Sequence, residues 1–146
     1  MATQAGLRFI NFEITKVLFD RGDNINIDAE FEVNIQHITQ INDENSNLFR
    51  TVFIINIKGN NNSFSLQVQA LGNFEILGKI PKEVTDNYLN ISSPSIIYPY
   101  VRAYISNITL QSGMNPITIP PMNFAANQDT PKKKIVAKKK PKKKKN

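Results

Sequence analysis

From Asn24 to Gln36 apolar and polar residues alternate without a break. Ile25, Ile27, Ala29, Phe31, Val33 and Ile35 interleave with Asn24, Asn26, Asp28, Glu30, Glu32, Asn34 and Gln36. A period of two sends successive side chains to opposite faces of a strand, so this stretch has one dry face and one wet face. Such a strand demands a sheet covered on one side only, which is the habit of antiparallel sheets. Three further stretches read the same way. Leu7 to Leu18 is rich in β-branched and aromatic residues with partial alternation. Leu48 to Lys58 is nearly continuously apolar over Val52–Phe53–Ile54–Ile55, which marks a more buried strand. Phe64, Leu66, Val68 and Ala70 alternate again towards Phe74 and Ile76, with Gly72 placed as a bulge. Asp20–Asn24, Asn42–Asn47 and Gly59–Asn62 hold the residues that tolerate turns. These signals predict an α+β fold whose base is a four-stranded antiparallel β-sheet, read as a meander.

One helix follows. Within Ser95–Leu110, Ile97, Val101, Tyr104, Ile105 and Ile108 recur at steps of three and four and share a face, while Arg102, Ser106, Thr109 and Ser112 fall towards the other. Pro99 is tolerated only near a helix start, so ordered helix is expected to begin between Pro94 and Pro99 and to stop at Gly113. A short helix with Pro81 in its first turn is expected over Lys79–Leu89. After the main helix, Pro116, Pro120 and Pro121 enclose Ile117, Thr118 and Ile119, a composition that favours an extended apolar crossover. One long amphipathic helix is thus packed after the strands. One helix and one extended strip cover only part of a four-stranded sheet, and the apolar remainder predicts oligomerisation.

Charge divides the chain. Residues 1–131 carry 8 Lys/Arg and 12 Asp/Glu, a balance of 8 − 12 = −4, whereas residues 132–145 contribute ten lysines. Residues 1–126 read as one domain and residues 127–146 as a disordered, self-repelling tail. Lys132, Lys133, Lys134, Lys138, Lys139 and Lys140, without interleaved aromatics, suit polyanions such as the ribosome, nucleic acid or anionic lipid, bound through charge rather than base reading. Cysteine is absent. With no secretory signal at the start and no long apolar run, the expected compartment is the cytoplasm.

Chemistry has little to work with. There is one histidine, His37, read as a solvent position at a strand end, and no phosphate-cradling glycine loop or metal-ligand spacing. Glu30 and Glu32 lie on the wet face of their strand. The chain is therefore expected not to be an enzyme, with no cofactor and no metal.

The run Ile96–Ile97–Tyr98–Pro99–Tyr100–Val101–Arg102, followed by Gly113 and by Ile117–Thr118–Ile119–Pro120–Pro121–Met122–Asn123–Phe124, resembles the signature of the SecB protein-export chaperones. The resemblance implies a holdase that keeps unfolded preproteins in apolar grooves of a homotetramer, a dimer of dimers whose helices meet at the interface. Client binding then falls to Phe31, Val33, Ile35, Met122 and Phe124. The helix positions Ile97, Val101, Tyr104, Ile105 and Ile108 become the interface. It also admits the SecA motor as a partner. Gln67 stands where the family has a fourth-strand Glu, with Asp20 and Asp23 as substitutes. A chaperone dedicated to an antitoxin or other single partner is the alternative within the family. A nucleic-acid-binding protein acting through its lysines is the alternative outside it.

Overall fold

The computed structural model describes residues 5–23 and 30–126, and residues 132–137 by their backbone. Four strands, β1 (Gly6–Asp20), β2 (Phe31–Ile41), β3 (Leu48–Gly59) and β4 (Ser65–Leu77), form an antiparallel sheet. A long helix follows them. Asn24–Ala29, the first half of the alternating stretch, lies outside the described residues.

The strand order is β1-β4-β3-β2. β2, β3 and β4 form a meander, but β1 pairs with β4 along its length and not with β2, which makes the sheet a Greek key. This corrects the simple meander. The described part of the expected turn, Asp20–Asp23, has Gly22 at φ 75° with its N–H donating to Asp20 Oδ1 at 3.0 Å. β1 and β2 themselves stand three inter-strand gaps apart, about 14 Å at ~4.8 Å each. Turn chemistry reports where the chain reverses and not which edge it reaches.

β1 explains its own partial alternation. Its register against β4 slips between Phe9 and Asn11 and again between Ile14 and Lys16, leaving Ile10 and Thr15 as extra residues. Each bulge resets the alternation. Leu7 and Phe9, then Phe12 and Ile14, then Val17 and Phe19 consequently all face the helix side and pack against the core. Gly72 is not a bulge, since it pairs in unbroken register with Thr51 and Phe12. Its reason is space: a Cβ there would stand 2.1 Å from Ile97 Cδ1.

The helical part begins earlier than its prolines suggest. Pro81 caps α1 (Lys82–Asn87) from just outside it, and one wide π turn over Tyr88–Ser92 joins α1 to α2 (Ser93–Gln111). Pro94 lies in the first turn of α2 and Pro99 inside it. A proline cannot donate to the carbonyl four residues back, and its ring crowds that carbonyl. The wide turn immediately before Pro94 is the local adjustment that keeps the helix continuous. Gly113, at φ 89°, ends it as expected. Arg21 Nη1 donates to the Ser112 carbonyl at 2.9 Å, tying the end of α2 to the chain leaving β1.

The core lies between the sheet and α2. Phe53, Ile55, Val68, Ala70 and Phe74 meet Ile97, Val101 and Ile105 there, and Ile117 and Ile119 of the crossover join the same cluster. A buried hydroxyl pair, Thr51 with Ser93 at 2.7 Å, fixes the start of α2 on β3, and Ser93 also donates to the Leu89 carbonyl. Lys132–Ala137 (β5), expected within the solvated tail, runs antiparallel along the outer edge of β2.

Candidate functional site: an apolar groove roofed by the crossover

The crossover, residues 114–124, returns along α2 and lies over the β2–β3 side of the sheet. It has no strand partner, and helix side chains hold its backbone instead. Tyr98 Oη donates to the Pro120 carbonyl, Arg102 Nε to the Ile119 carbonyl at 3.0 Å, and Ser106 Oγ to the Ile117 carbonyl at 2.7 Å. Thr109 Oγ1 accepts the Ile117 N–H at 2.9 Å and itself donates to the Ile105 carbonyl at 2.8 Å. These residues recur every three or four positions, so they form one stripe beside the apolar one. A strip rich in proline has carbonyls to offer and few N–H groups. A row of side-chain donors is what such a strip requires.

Burial pushes the Tyr98 hydroxyl up to about 12, against the opposing pull of the Arg102 charge. It therefore stays protonated, and a donor to Pro120, across the physiological range.

At its far end the crossover is plugged by Phe124. Its ring sits edge-on to His37 (5.1 Å between centroids), Phe53 (5.9 Å) and Tyr98 (5.7 Å), while His37 and Phe53 lie 5.5 Å apart. Asn123 Oδ1 accepts the N–H groups of Ala125 and Ala126, the pattern of a helix N-cap, and so sets the turn that aims Phe124 inward. His37 is half-buried in this box, and burial lowers its pKa below the ordinary value. It is a wall of the groove rather than the solvent position its place in the sequence suggests.

Of the residues expected to touch clients, Val33 and Ile35 of β2 and Phe124 of the crossover are buried in one cluster, whereas Phe31 and Met122 are partly exposed. β2 positions Phe31, Val33 and Ile35 on the helix side of the sheet, and Phe31 leans on Phe64. The groove is thus assembled and closed. Of the helix positions expected at a subunit interface, Ile97, Val101 and Ile105 are fully buried against the protomer's own sheet. Tyr104 and Ile108 are partly exposed. The stripe beside them is the open one: Ile96, Tyr100, Ala103, Asn107 and Leu110 succeed one another at helical spacing, and all are exposed. Tyr100 also stacks on Phe9 and Phe12 of β1 at 5.8 and 5.3 Å. Lys132, Lys133 and Lys134 belong to β5; Lys138, Lys139 and Lys140 lie outside the described residues. Arg102, Ser106 and Thr109, which the helical periodicity places on the polar face, are fasteners that this periodicity does not mark. The signal was present, since hydroxyl and guanidinium groups stand at steps of four and three opposite a proline strip.

A sheet roofed on one side by a helix and an extended strip, closed at one end by an aromatic box, defines an α+β protein with an apolar groove. The family model described as preprotein translocase subunit SecB matches residues 10–133, and the chain belongs to that family. Two relatives show the range. An uncharacterized protein of Methanocaldococcus jannaschii, MJ0357, is 30% identical over 129 residues, covering 84% of this chain and 82% of that one. The protein-export protein SecB of Magnetococcus marinus is 30% identical over 98 residues, covering 67% of this chain. The chain spans 62% of that protein's length. Among solved structures, the Mycobacterium tuberculosis SecB-like chaperone Rv1957, in complex with a ChAD peptide from the antitoxin HigA1, superposes with a TM-score of 0.66 at 10% identity. The match covers 80% of this chain and 88% of that one.

Proposed function

We propose that this SecB-family chain is a holdase that keeps nonnative polypeptides from folding or aggregating by lodging their apolar segments in the groove along β2. The observation that carries the reading is the roof. The strip, whose Ile117, Ile119 and Phe124 share a buried cluster with Val33, Ile35 and Phe53, is fastened by side-chain bonds to α2 and by one aromatic plug, not by a sheet ladder. Displacing it uncovers a continuous apolar surface at the cost of a few hydrogen bonds, each worth about 0.5–1.5 kcal/mol net, and of the burial of Ile117, Ile119 and Phe124, each worth about 1.5–3 kcal/mol, which apolar side chains of a client would replace. Partly exposed Phe31 and Met122 offer a client its first foothold.

No covalent chemistry is needed. A site that binds the unfolded chain and not the native one shifts folding towards the unfolded state, by roughly 2.7 kcal/mol at a site concentration a hundredfold above Kd. Several grooves on a tetramer acting on one client combine through effective concentration. The open helix stripe of Ile96, Tyr100, Ala103 and Leu110, with the half-buried β1 row beside it, supports such an assembly as a dimer of dimers.

The test is refolding of a slow-folding client at physiological salt, with the full chain, a chain ending at Pro131, and a Phe31→Asp/Met122→Asp variant. Delay by the first two at near-stoichiometric tetramer, and weaker delay by the third, is the expected result. Unimpeded refolding in all three would sink the holdase.

The fold shared with a chaperone bound to an antitoxin peptide favours a second reading, a chaperone dedicated to one partner. Pulldown separates the two, many unrelated clients against a single dominant one. The outward sheet face, where a SecA motor would dock, interleaves Arg8, Lys16, Arg50 and Lys58 with Glu13, Asp20, Glu32 and Glu75. With no acidic patch among those positions, the proposal stops at client holding.

A further inference from the structure

An outermost strand presents a row of N–H and C=O groups through which a sheet recruits further strands. β2 is the outermost of the four main strands, and the chain itself meets that row. Phe31 stands opposite Ala137, Glu32 opposite Val136, Val33 opposite Ile135, Asn34 opposite Lys134, Ile35 opposite Lys133 and Gln36 opposite Lys132, six consecutive pairs without a shift. Three of those β2 positions, Phe31, Val33 and Ile35, belong to the strand on which client holding depends.

We propose that Lys132–Ala137 is a built-in competitor for the edge of β2, a tethered mimic of an extended client segment that must leave before a client can pair there. The inference rests on the client-holding reading and adds a regulator to it. The path of the chain supports it first. The Phe124 ring lies 5.1 Å from that of His37, and the β5 ladder begins at Gln36, its neighbour in β2. From Ala126 to Lys132 is six residue steps, a reach of about 20 Å when extended, so closing this loop costs little. A tether of that length sustains an effective concentration on the order of millimolar, which a weakly bound client does not overcome.

Composition supports it second. Ile135 and Val136 are strand formers, and lysines on an edge discourage the addition of yet another strand. The segment is also basic, while residues 1–131 carry the net charge of 8 − 12 = −4. A client long enough to engage several grooves gains by avidity what a short peptide lacks, so the competitor discriminates by client length.

The experiment uses the full chain with Ile135→Pro and Val136→Pro together. Successive N–H groups in a strand point to opposite edges, so two adjacent prolines remove a bond to β2 whichever one faces it, and all ten tail lysines stay. Hydrogen exchange over Phe31–Gln36 is expected to be about tenfold faster in the variant than in the parent. Affinity for reduced, carboxymethylated α-lactalbumin, a permanently unfolded chain, is expected to rise about tenfold in the variant. Equal exchange in parent and variant overturns occupancy of the edge. Faster exchange with unchanged affinity overturns competition. Faster exchange with no binding of the unfolded chain by any form leaves occupancy standing and sinks client holding instead.

Discussion

His37 shows how a single side chain can tie the groove to pH. Burial against Phe53 and Phe124 lowers its pKa, so the folded chain takes up the proton at lower pH than the unfolded chain, which does so near the ordinary value of about 6.5. The unfolded state binds more protons in that window, and stability falls as pH drops below about 6.5, ceasing to fall once pH is under the lowered folded value. His37→Phe keeps a ring in the box and removes the titration. Its melting temperature is expected to change less than the parent's between pH 7.5 and pH 5, and equal changes would remove His37 as the cause. Gly72 carries a second expectation. Gly72→Ala brings a methyl against Ile97 and is expected to cost about 1–3 kcal/mol by urea unfolding. Ile97→Val deletes the nearest atom, so the double variant should recover part of the loss, a coupling that a mere propensity effect would not show.

Between elements, the stripe of Tyr98, Arg102, Ser106 and Thr109 decides how firmly the groove is roofed. Thr109→Val leaves the Ile117 N–H without its acceptor in a buried place and is expected to lower stability by about 1–3 kcal/mol. Arg102→Ala/Ser106→Ala loosens the crossover without touching the groove wall. If the crossover is a roof, that variant should have a lower melting temperature and yet delay client refolding more strongly. A parallel loss of both would make the strip a client-binding surface in its own right. The strip was legible as extended because three prolines forbid a helix. Its fasteners were not, because a polar residue beside an apolar stripe looks the same in sequence whether it faces water or a carbonyl.

For the whole molecule, the surface left over matters most. Ile96, Tyr100 and Leu110 stay exposed on α2, and β1 adds Leu7, Phe12, Ile14, Val17 and Phe19, packed on the core from one side only. Apolar surface of this extent on one side favours self-association. If the chain assembles as proposed, Tyr100→Lys/Leu110→Lys is expected to reduce it to a smaller species by light scattering, with the protomer fold intact by circular dichroism. An unchanged mass would move the interface elsewhere. Ile97→Lys should instead unfold the protomer, since that side chain is enclosed by its own sheet.

Local periodicity determined, without help, that this chain makes four antiparallel strands and one long helix, where the helix stops, and that the strip after it is extended. Those properties follow from backbone sterics and from one-dimensional spacing of apolar residues. Tertiary structure alone decided that β1 crosses to β4, that bulges at Ile10 and Thr15 gather six β1 side chains on one face, and that Gly72 is an approach for Ile97. It also decided which of two adjacent helix stripes is spent inside the protomer. An amphipathic pattern states that a face will be buried, but whether a sheet of the same chain, a crossover or a second copy buries it depends on distances between segments far apart in sequence.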